Sequence, residues 1–476
     1  ATFQEDIKQS SLLTATGFLD DAMLSNISAA SVISKNIDAP ANNYYKQYKY
    51  NAVFARVGYD WQSKYIINFT GRRDGSSRFG PGKQFANFGA VGACWIFTNE
   101  SFFRNLKSNL SFGKLRASYG TTGNDQIADY GYLNIYGTTS FPYNGVEGLY
   151  PTQLYNADYA WETNRKLELG LELGFLNDRI YFVADYFRNR SSNQLVGYPL
   201  PSVTGFRSIE ANLPATVQNT GFELQLSSVN IKTRNFKWNT SFNITVPRNK
   251  LISYPGIENS PYATRYVVGK PLSVVVAFHS TGVDSATGVY QFEDVTHGGS
   301  TLNPSNPTDL RAYKEITQNY FGGLDNNFSY KGFQLDIFFQ FVKQTGNLYL
   351  YNTMPGYKAM NQPTLVLTRW QNPGDNTVIQ KFSQRIGGPA WNGYRNSTQS
   401  DMMIGDASFV RLKNVSISYQ LSPVWLQRAH IQNCRIYMQG QNLLTITSYK
   451  GLDPEVQTRY NLPLLRVVIA GIQLTF

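Results

Sequence analysis

Strict alternation of apolar and polar residues is the feature that most constrains this chain. In the segment KLELGLELGFLNDRIYFVADYF (Lys166–Phe187), Leu or Phe occupies every second position before NDR, and Ile180, Phe182, Ala184 and Tyr186 resume the alternation after it. Successive side chains of a strand point to opposite faces, so the segment predicts a β-hairpin with one apolar face. The question is whether that face packs in a protein core or contacts lipid.

The same alternation recurs from end to end, in about fourteen segments. Many of them run for about 9–11 residues, the length at which a tilted strand crosses a bilayer. Their polar positions carry mostly Gly, Asn, Gln, Ser and Thr, which suits a wide aqueous lumen better than the solvated face of a β-sandwich. Aromatic residues gather at strand ends, as they do at membrane interfaces. The pattern therefore predicts an all-β fold, a transmembrane antiparallel β-barrel with about 14 strands.

Short turns alternate with long insertions along the chain. The insertions are predicted at about Leu13–Tyr45, Asn124–Ala160, Leu195–Ala215, Ser253–Asn319 and Leu348–Gly405. Long loops on one side and short turns on the other are typical of the bacterial outer membrane, where the long loops are extracellular. With the short turns on the periplasmic side, we expect the final strand to run down and to end at the periplasmic rim. That segment ends on Phe476 with its alternation still running.

The positive charge of the chain is dispersed. The formal net charge is +11 and the pI is about 9.3, but the 43 Lys and Arg residues are scattered singly, without a basic helix or finger. We therefore expect no nucleic-acid partner, since such sites concentrate their charge. An anionic membrane surface or a charged lumen accounts for the pattern equally well.

Nine short motifs follow one another in an order that resembles SusC/RagA-type TonB-dependent transporters of the Bacteroidetes outer membrane. They are RRDGSSRFG (Arg72–Gly80), LRASYGTTGN (Leu115–Asn124), WETNRKLELGLE (Trp161–Glu172), NTGFE (Asn219–Glu223), GVDSATGVY (Gly282–Tyr290), RWQNPGD (Arg369–Asp375), DASFVRLKNVSISYQL (Asp406–Leu421), GQNLLTIT (Gly440–Thr447) and GLDPEV (Gly451–Val456). Each motif is weak singly, but the ordered set spans nearly the whole chain. The resemblance covers the C-terminal part of the family's chain only.

The resemblance implies a large plugged barrel of 22 strands, of which residues 1–476 would form the C-terminal part. It implies import of oligosaccharides or oligopeptides with a SusD-like surface lipoprotein, TonB acting on a plug, and contact with outer-membrane lipid or lipopolysaccharide. No plug-like region precedes the first hairpin. We expect the plug and the N-terminal strands on another chain or segment, because an open sheet edge is unstable in lipid. The alternative is a smaller barrel closed by this chain alone.

Two groups of residues are candidates for function. Aromatic side chains in the long loops suit glycan or peptide recognition, and loop packing is the competing interpretation for each of them. The substrate-binding candidates are Tyr143, Tyr150, Tyr155, Tyr349, Tyr351, Tyr357, Trp370 and Trp391. The residues predicted to face the lumen are Arg56, Glu168, Glu172, Asp185, Glu223 and Asp336. We interpret their carboxylates as channel lining and not as a catalytic pair.

No enzymatic or metal chemistry is predicted. His279, His297 and His430 stand alone, without ligands at metal spacing. Asp284 in TGVDSATG lacks the further carboxylates of a calcium loop, which favours a structural turn. No cofactor motif is present. The alternatives to import are a passive or structural outer-membrane barrel and a secreted carbohydrate-binding β protein.

The assignment of faces predicts the effect of two substitutions in the hairpin. Leu169→Arg places a charge in lipid, at a cost of about 2–4 kcal/mol near the bilayer midplane, and we expect it to block assembly into the outer membrane. Glu168→Leu changes the opposite face and should assemble. Membrane fractionation and heat-modifiable electrophoretic mobility measure the assembly of both variants. If Leu169→Arg assembled normally and Glu168→Leu did not, the two faces would be inverted.

Overall fold

The computed structural model describes residues 1–10, 44–106, 109–139, 141, 143–146, 148–357, 360–422, 426, 431–458 and 460–476. The strands of this part are β1 (Thr2–Ser10), β2 (Tyr44–Trp61), β3 (Tyr65–Ser76), β4 (Phe85–Trp95), β5 (Leu110–Asn124), β6 (Ile135–Thr138), β7 (Leu149–Gln153), β8 (Glu162–Phe175), β9 (Ile180–Pro199), β10 (Ser208–Lys232), β11 (Phe236–Ser253), β12 (Val274–Phe278), β13 (Ser280–Val283), β14 (Tyr290–Glu293), β15 (Ser300–Thr301), β16 (Leu310–Glu315), β17 (Gln318–Tyr330), β18 (Phe333–Asn347), β19 (Ile404–Asp406), β20 (Phe409–Gln420), β21 (Asn433–Thr447) and β22 (Val467–Thr475). His430 and most of the insertion predicted at Leu13–Tyr45 lie outside the described residues.

Fourteen strands form one continuous antiparallel sheet. Their order is β1–β2–β3–β4–β5–β8–β9–β10–β11–β17–β18–β20–β21–β22, and β19 adds to β18 at one end. Each strand pairs with the long strand before it and the one after it, so the sheet is a simple meander. The predictions of an all-β fold and of about 14 strands are confirmed. In the part of the chain that is described, β1 and β22 are the two edges and pair only with β2 and β21.

The sheet has an apolar face and a polar face, which its register defines. Leu169 lies opposite Ala117 on β5 and Tyr186 on β9, and Phe222 on β10 continues that row on the apolar face. The polar face carries the residues between them, with Asp185 opposite Gly170 on β8 and Glu223 on β10. Large side chains on the apolar face are strongly exposed: Val57 by 65%, Phe222 by 57% and Ile472 by 65%. Among the described residues, no protein core packs against this face.

The two ends of the sheet differ. At one, here called the turn end, residues 62–64, 176–179, 233–235 and 331–332 make tight connections. At the other, the loop end, the connections from β5 to β8, β11 to β17 and β18 to β20 are long. The insertion predicted at Leu195–Ala215 is largely strand, because β9 runs to Pro199 and β10 begins at Ser208. These two strands, of 20 and 25 residues, extend beyond the 9–11 residues that cross a bilayer.

Short strands and helices lie at the loop end. The β11–β17 connection holds a two-stranded sheet of β12 and β16 and a three-stranded sheet of β13, β14 and β15, and β6 pairs with β7 between β5 and β8. Helix α1 (Pro389–Ser397) is the one α-helix longer than a single turn in the described residues. The 3₁₀ helices are Phe97–Asn99, Ser101–Leu106, Ser202–Thr204, Ile257–Asn259, Tyr349–Tyr351, Thr364–Thr368 and Asp401–Met403. No helix in the described residues is long and apolar enough to span a membrane.

A buried ion pair fastens the β21–β22 connection to the polar face. Arg411 on β20 is 1% exposed and its guanidinium lies 2.8 Å from Asp453 and 2.7 Å from Glu455. Its Nε also donates to the hydroxyl of Thr445, at 3.0 Å. Nearby, the Gln344 amide donates to the carbonyl oxygen of Pro454, at 2.8 Å. The motifs DASFVRLKN and GLDPEV therefore meet, and the last loop is held against the sheet.

Removal of Arg411 should release this loop. Arg411→Ala leaves Asp453 buried without its partner, which typically costs about 3–5 kcal/mol. Lys413→Ala is the matched control, since its ammonium is 3.8 Å from Glu455 and 33% exposed, where an ion pair contributes about 0–1 kcal/mol. Limited proteolysis between β21 and β22 and the midpoint of thermal unfolding in detergent measure the two effects. Equal behaviour of the variants would contradict the role of Arg411.

Candidate functional site

The main candidate site is a cavity of about 640 Å³ among the loops that connect β18 to β20. Most of the described lining residues lie between Tyr349 and Pro363 and are therefore close together in sequence. Tyr394 on α1 and Tyr460 complete the lining. The lining combines aromatic rings, Met354, Met360 and the amide side chains of Asn352, Asn361 and Gln362. Among the described residues of the lining, tyrosine is the only type with a titratable side chain.

Three aromatic rings form an aromatic wall at this cavity: Tyr357 and Tyr394 line it, and Trp391 packs on Tyr357. The ring centroids of Tyr357 and Trp391 are 4.8 Å apart, and Tyr394 lies 6.1 Å from Tyr357 and 5.9 Å from Trp391. Trp391 and Tyr394 are three residues apart on α1, so both face the same side of the helix. The Tyr394 hydroxyl donates to Asn352 Oδ1 at 2.9 Å. Helix α1 thereby ties the aromatic wall to the segment that follows β18.

Polar contacts hold the shape of the cavity. The Gln362 side chain bridges its own loop: its amide nitrogen donates to the Met354 carbonyl at 2.7 Å, and its oxygen accepts from Gly356 N at 3.1 Å. Tyr349 is 8% exposed, and its hydroxyl accepts a hydrogen bond from the backbone N–H of Leu452. Burial, with smaller contributions from Tyr349 and Asp453, raises the pKa of the adjacent Tyr449 to about 12. That phenol therefore stays neutral and donates to the Asn347 carbonyl.

The structure brings together three of the eight predicted substrate-binding residues: Tyr349 and Tyr357 line the cavity, and Trp391 packs on Tyr357. Tyr351 and Trp370 lie in the same connection but outside the lining. Tyr143, Tyr150 and Tyr155 lie on the separate β5–β8 connection and are at least half exposed. Their role in binding stays a prediction.

The residues predicted to face a lumen share the polar face. Glu172 accepts from Lys114 at 3.0 Å and from the Tyr181 hydroxyl at 2.9 Å, and Arg116 bridges Glu172 and Asp185. Glu168 and Glu223 border a depression of about 310 Å³ beside Asp185. On other strands of this face, Arg56 donates to Asn68, and Asp336 lies opposite Asn327 and Ser416. These contacts form a network of ion pairs and hydrogen bonds, as expected for the wall of a channel. That the polar face lines a lumen stays a prediction.

Two further motifs, GVDSATGVY and RWQNPGD, meet in a pair of turns. Asp284 accepts hydrogen bonds from the backbone N–H groups of Ala286 and Thr287, and Asp375 accepts from those of Gln371 and Asn372. The carboxylate of Asp284 is thus occupied by its own turn. Among the described residues, no three His, Cys, Asp or Glu side chains converge on a possible metal position.

Trp370 joins these two turns. Its indole N–H donates to the Ser285 carbonyl at 3.0 Å, and Gly374 N donates to the same oxygen at 2.8 Å. The ring lies over Gly288, where a Cβ would come within 2.4 Å of it and where φ is +70°. A glycine is therefore required at this position. Trp370 acts in loop packing, the competing interpretation that the sequence left open.

Several residues that shape the site are not apparent from the sequence. Arg411, Asp453 and Glu455 lie within motifs, and the opposite sign of their charges is the only sequence signal of their pairing. Gln362 and Asn352 have no distinguishing signal in the sequence. Only the folded loop brings their amides to the cavity.

Comparisons with known proteins agree with this architecture. The family model described as "TonB dependent receptor-like, beta-barrel" matches residues 14–443. TonB-dependent receptor P3 of Formosa agariphila is 31% identical over 445 residues, which cover 88% of this chain and 43% of the relative. TonB-dependent receptor SusC of Bacteroides thetaiotaomicron is 27% identical over 433 residues, which cover 85% and 41%.

Solved structures give the same result. The chain superposes on the RagAB peptide importer in its open-open state with a TM-score of 0.80 and 27% identity, over 93% of this chain and 48% of that one. For the closed-closed state the TM-score is 0.81, with 26% identity over 93% and 49%.

A two-faced meander sheet with elaborate loops at one end defines an outer-membrane β-barrel wall. The chain belongs to the TonB-dependent receptor β-barrel family, and it is similar to SusC and to the RagAB importer. Proteins of this family reside in the outer membrane. The chain spans less than half the length of the curated relatives it matches.

The paired turns predict a pH dependence of the loop. Hydrogen bonds from Thr287 lower the pKa of Asp284, and those from Asn372 and Gln371 lower the pKa of Asp375. A depressed pKa means that the stabilisation is complete above the ordinary pKa of about 3.9 and is lost as pH falls through the depressed value. Amide exchange in 282–291 and 369–381, corrected for intrinsic rates, should therefore accelerate below about pH 4.

The variant Asp284→Asn/Asp375→Asn is the matched control. Each amide oxygen still accepts the backbone hydrogen bonds of its turn but cannot titrate. We expect its exchange in the two segments to change less between pH 6 and pH 3 than that of the wild type. An identical pH profile would contradict the assignment of these two carboxylates.

Proposed function

We propose that this chain forms wall and vestibule of an energised outer-membrane importer for oligosaccharides or oligopeptides. Transport would be driven by TonB through a plug, with a SusD-like lipoprotein at the extracellular mouth and the remaining strands supplied by another chain or segment. The loop end of the sheet would face the outside and the polar face the lumen. No bond is made or broken in this function.

The aromatic cavity at the loop end is the observation that carries the proposal. Its volume of about 640 Å³ is within the range of pockets that bind small ligands. Tyr357 and Tyr394 offer ring faces and Asn352, Asn361 and Gln362 offer amides, without a charged side chain in the described lining. Stacking on rings with hydrogen bonds to amides suits a neutral sugar unit or a peptide segment.

Family membership supports the transport step, and the match to RagAB, which is described as a peptide importer, supports a peptide among the possible cargoes. The charged lattice around Glu172 and Arg116 on the polar face would give a passing substrate a hydrated wall. These supports are independent, since the lattice lies on the sheet and the cavity lies in the loops.

Tyr357→Ala should weaken uptake through substrate affinity. The substitution removes one ring of the aromatic wall, and such contacts contribute about 0.5–1.5 kcal/mol, so the half-saturation concentration should rise about 2- to 12-fold. Uptake of labelled oligopeptides and oligosaccharides of matched length by cells that produce the complete complex measures it. Leu367→Ala, on the same connection and 68% exposed, is the control and should leave uptake unchanged.

Two further outcomes would revise the proposal. A larger effect of Tyr143→Ala than of Tyr357→Ala would move the substrate contact to the β5–β8 connection. Uptake that continues after the proton gradient of the inner membrane is collapsed would favour a passive barrel over an energised importer.

A further inference from the structure

Five cations cluster on the apolar face near the loop end. They lie on three strands, β8, β9 and β11, with the intervening strand β10 among them. The cluster, called the basic cluster below, consists of Arg165, Arg188, Arg190, Arg248 and Lys250. Charged residues on the lipid face of a barrel are unfavourable unless they lie at the interface, so their grouping calls for a partner.

The register places the basic cluster in two adjacent rows. In one row Arg188 and Arg248 flank Thr220, which pairs with both of them. In the other row Arg165 lies opposite Arg190, and Gln218 pairs with Arg190 on one side and with Lys250 on the other. Neighbouring strands are about 4.8 Å apart, so the cluster covers a patch roughly 15 Å wide.

The protein itself does not neutralise these charges. Within the described residues, none of the five forms a salt bridge; Arg190 donates to the Gln218 amide oxygen, and Arg248 donates to the carbonyls of Pro247 and Asn319. Like charges directly opposite each other on paired strands, as Arg165 and Arg190 are, destabilise a sheet. An external anion between them would remove that repulsion.

An apolar groove lies on the same face, next to the basic cluster toward the turn end. Its volume is about 600 Å³, and its lining on this face includes Leu169, Tyr186 and Phe222 around the small side chains of Ala117 and Ala184. Leu169 is four residues along β8 from Arg165, a distance of about 13 Å. The alanines form the floor because their neighbours on the adjacent strands are larger.

We propose that the basic cluster and the groove together bind a phosphorylated lipid of the outer leaflet, with its phosphate on the arginines and an acyl chain in the groove. Guanidinium groups pair with phosphate oxygens in a planar, bidentate geometry. The anionic head and the apolar chain of one amphiphile match the two parts of the surface in the order in which they occur. The proposed substrate path does not compete for the phosphate, because the register places the basic cluster on the opposite face from Glu172 and Asp185. This inference rests on the proposed orientation of the loop end.

Lipid that remains with the purified protein tests the proposal. The complete complex is extracted from outer membranes in mild detergent, and bound phosphorylated lipid is counted by native mass spectrometry. Arg165→Gln/Arg190→Gln should reduce the retained lipid at least tenfold, since each cation near a membrane surface contributes roughly fivefold. Lys232→Gln/Lys237→Gln is the matched control, because these cations also pair directly, at the turn end of β10 and β11, and it should retain lipid like the wild type.

Further variants separate charge, groove and assembly. Arg165→Lys/Arg190→Lys keeps the charge and should retain most of the lipid, whereas Ala184→Phe fills the groove and should lower retention with every cation in place. Both results stay informative if the glutamine variant fails to reach the membrane. Inorganic phosphate should not displace the lipid; displacement by phosphate alone at millimolar concentration would show a site for free anions. Wild-type retention in assembled Arg165→Gln/Arg190→Gln would overturn the proposal.

Failure of this inference is distinguishable from failure of the proposed function. Substrate uptake depends on the loop cavity and the opposite face, so it should stay within twofold of wild type in the assembled lipid-site variants. Labelling of Ser202→Cys on intact cells, in the exposed β9–β10 connection, reports the orientation separately. If Ser202→Cys is reached only from the periplasmic side, both the orientation and the outer-leaflet lipid are wrong.

Discussion

Strand pairing is the constraint on which the rest of this structure depends. In the hydrocarbon of a bilayer no water is present to satisfy a backbone N–H or C=O, so each must find its partner on a neighbouring strand. Fourteen strands in a meander accomplish this for the interior of the sheet, and every strand is placed by its neighbours in sequence. Once the pairing is set, alternation assigns each side chain to one face, and the apolar surface follows.

The loops take their shape from the wall beneath them. Gln344 on β18 and Arg411 on β20 reach from the polar face to the β21–β22 connection, while Tyr349 accepts from Leu452 beside the cavity. Because Gln344 and Arg411 are buried, they hold the β21–β22 connection against the sheet, and its Leu452 contacts Tyr349 in the cavity lining. Two pairs of motifs meet and join segments that are distant in sequence. They are DASFVRLKN with GLDPEV, and GVDSATGVY with RWQNPGD.

The fold was far more predictable than the site. Period-two alternation identified the strands and both faces, since the register puts Leu169 with Tyr186 and Asp185 with Glu223 as the pattern requires. It failed at Leu195–Ala215, where β9 and β10 continue as a paired hairpin although the sequence has the Pro and Gly residues of a loop. Among the loop aromatics, composition could not separate Trp391, which packs in the cavity wall, from Trp370, which covers Gly288.

The sequence by itself determined the strands, their order, the two faces of the sheet and the resemblance to one transporter family, because alternation and short turns are local properties of the chain. Only the tertiary structure decided which loop residues meet. The cavity, the Arg411 ion pair and the basic cluster combine residues from separate strands or connections, and their proximity depends on cross-strand register and loop closure. The positive charge that is dispersed along the sequence becomes concentrated at Arg165 and Arg190 because paired strands bring distant positions side by side.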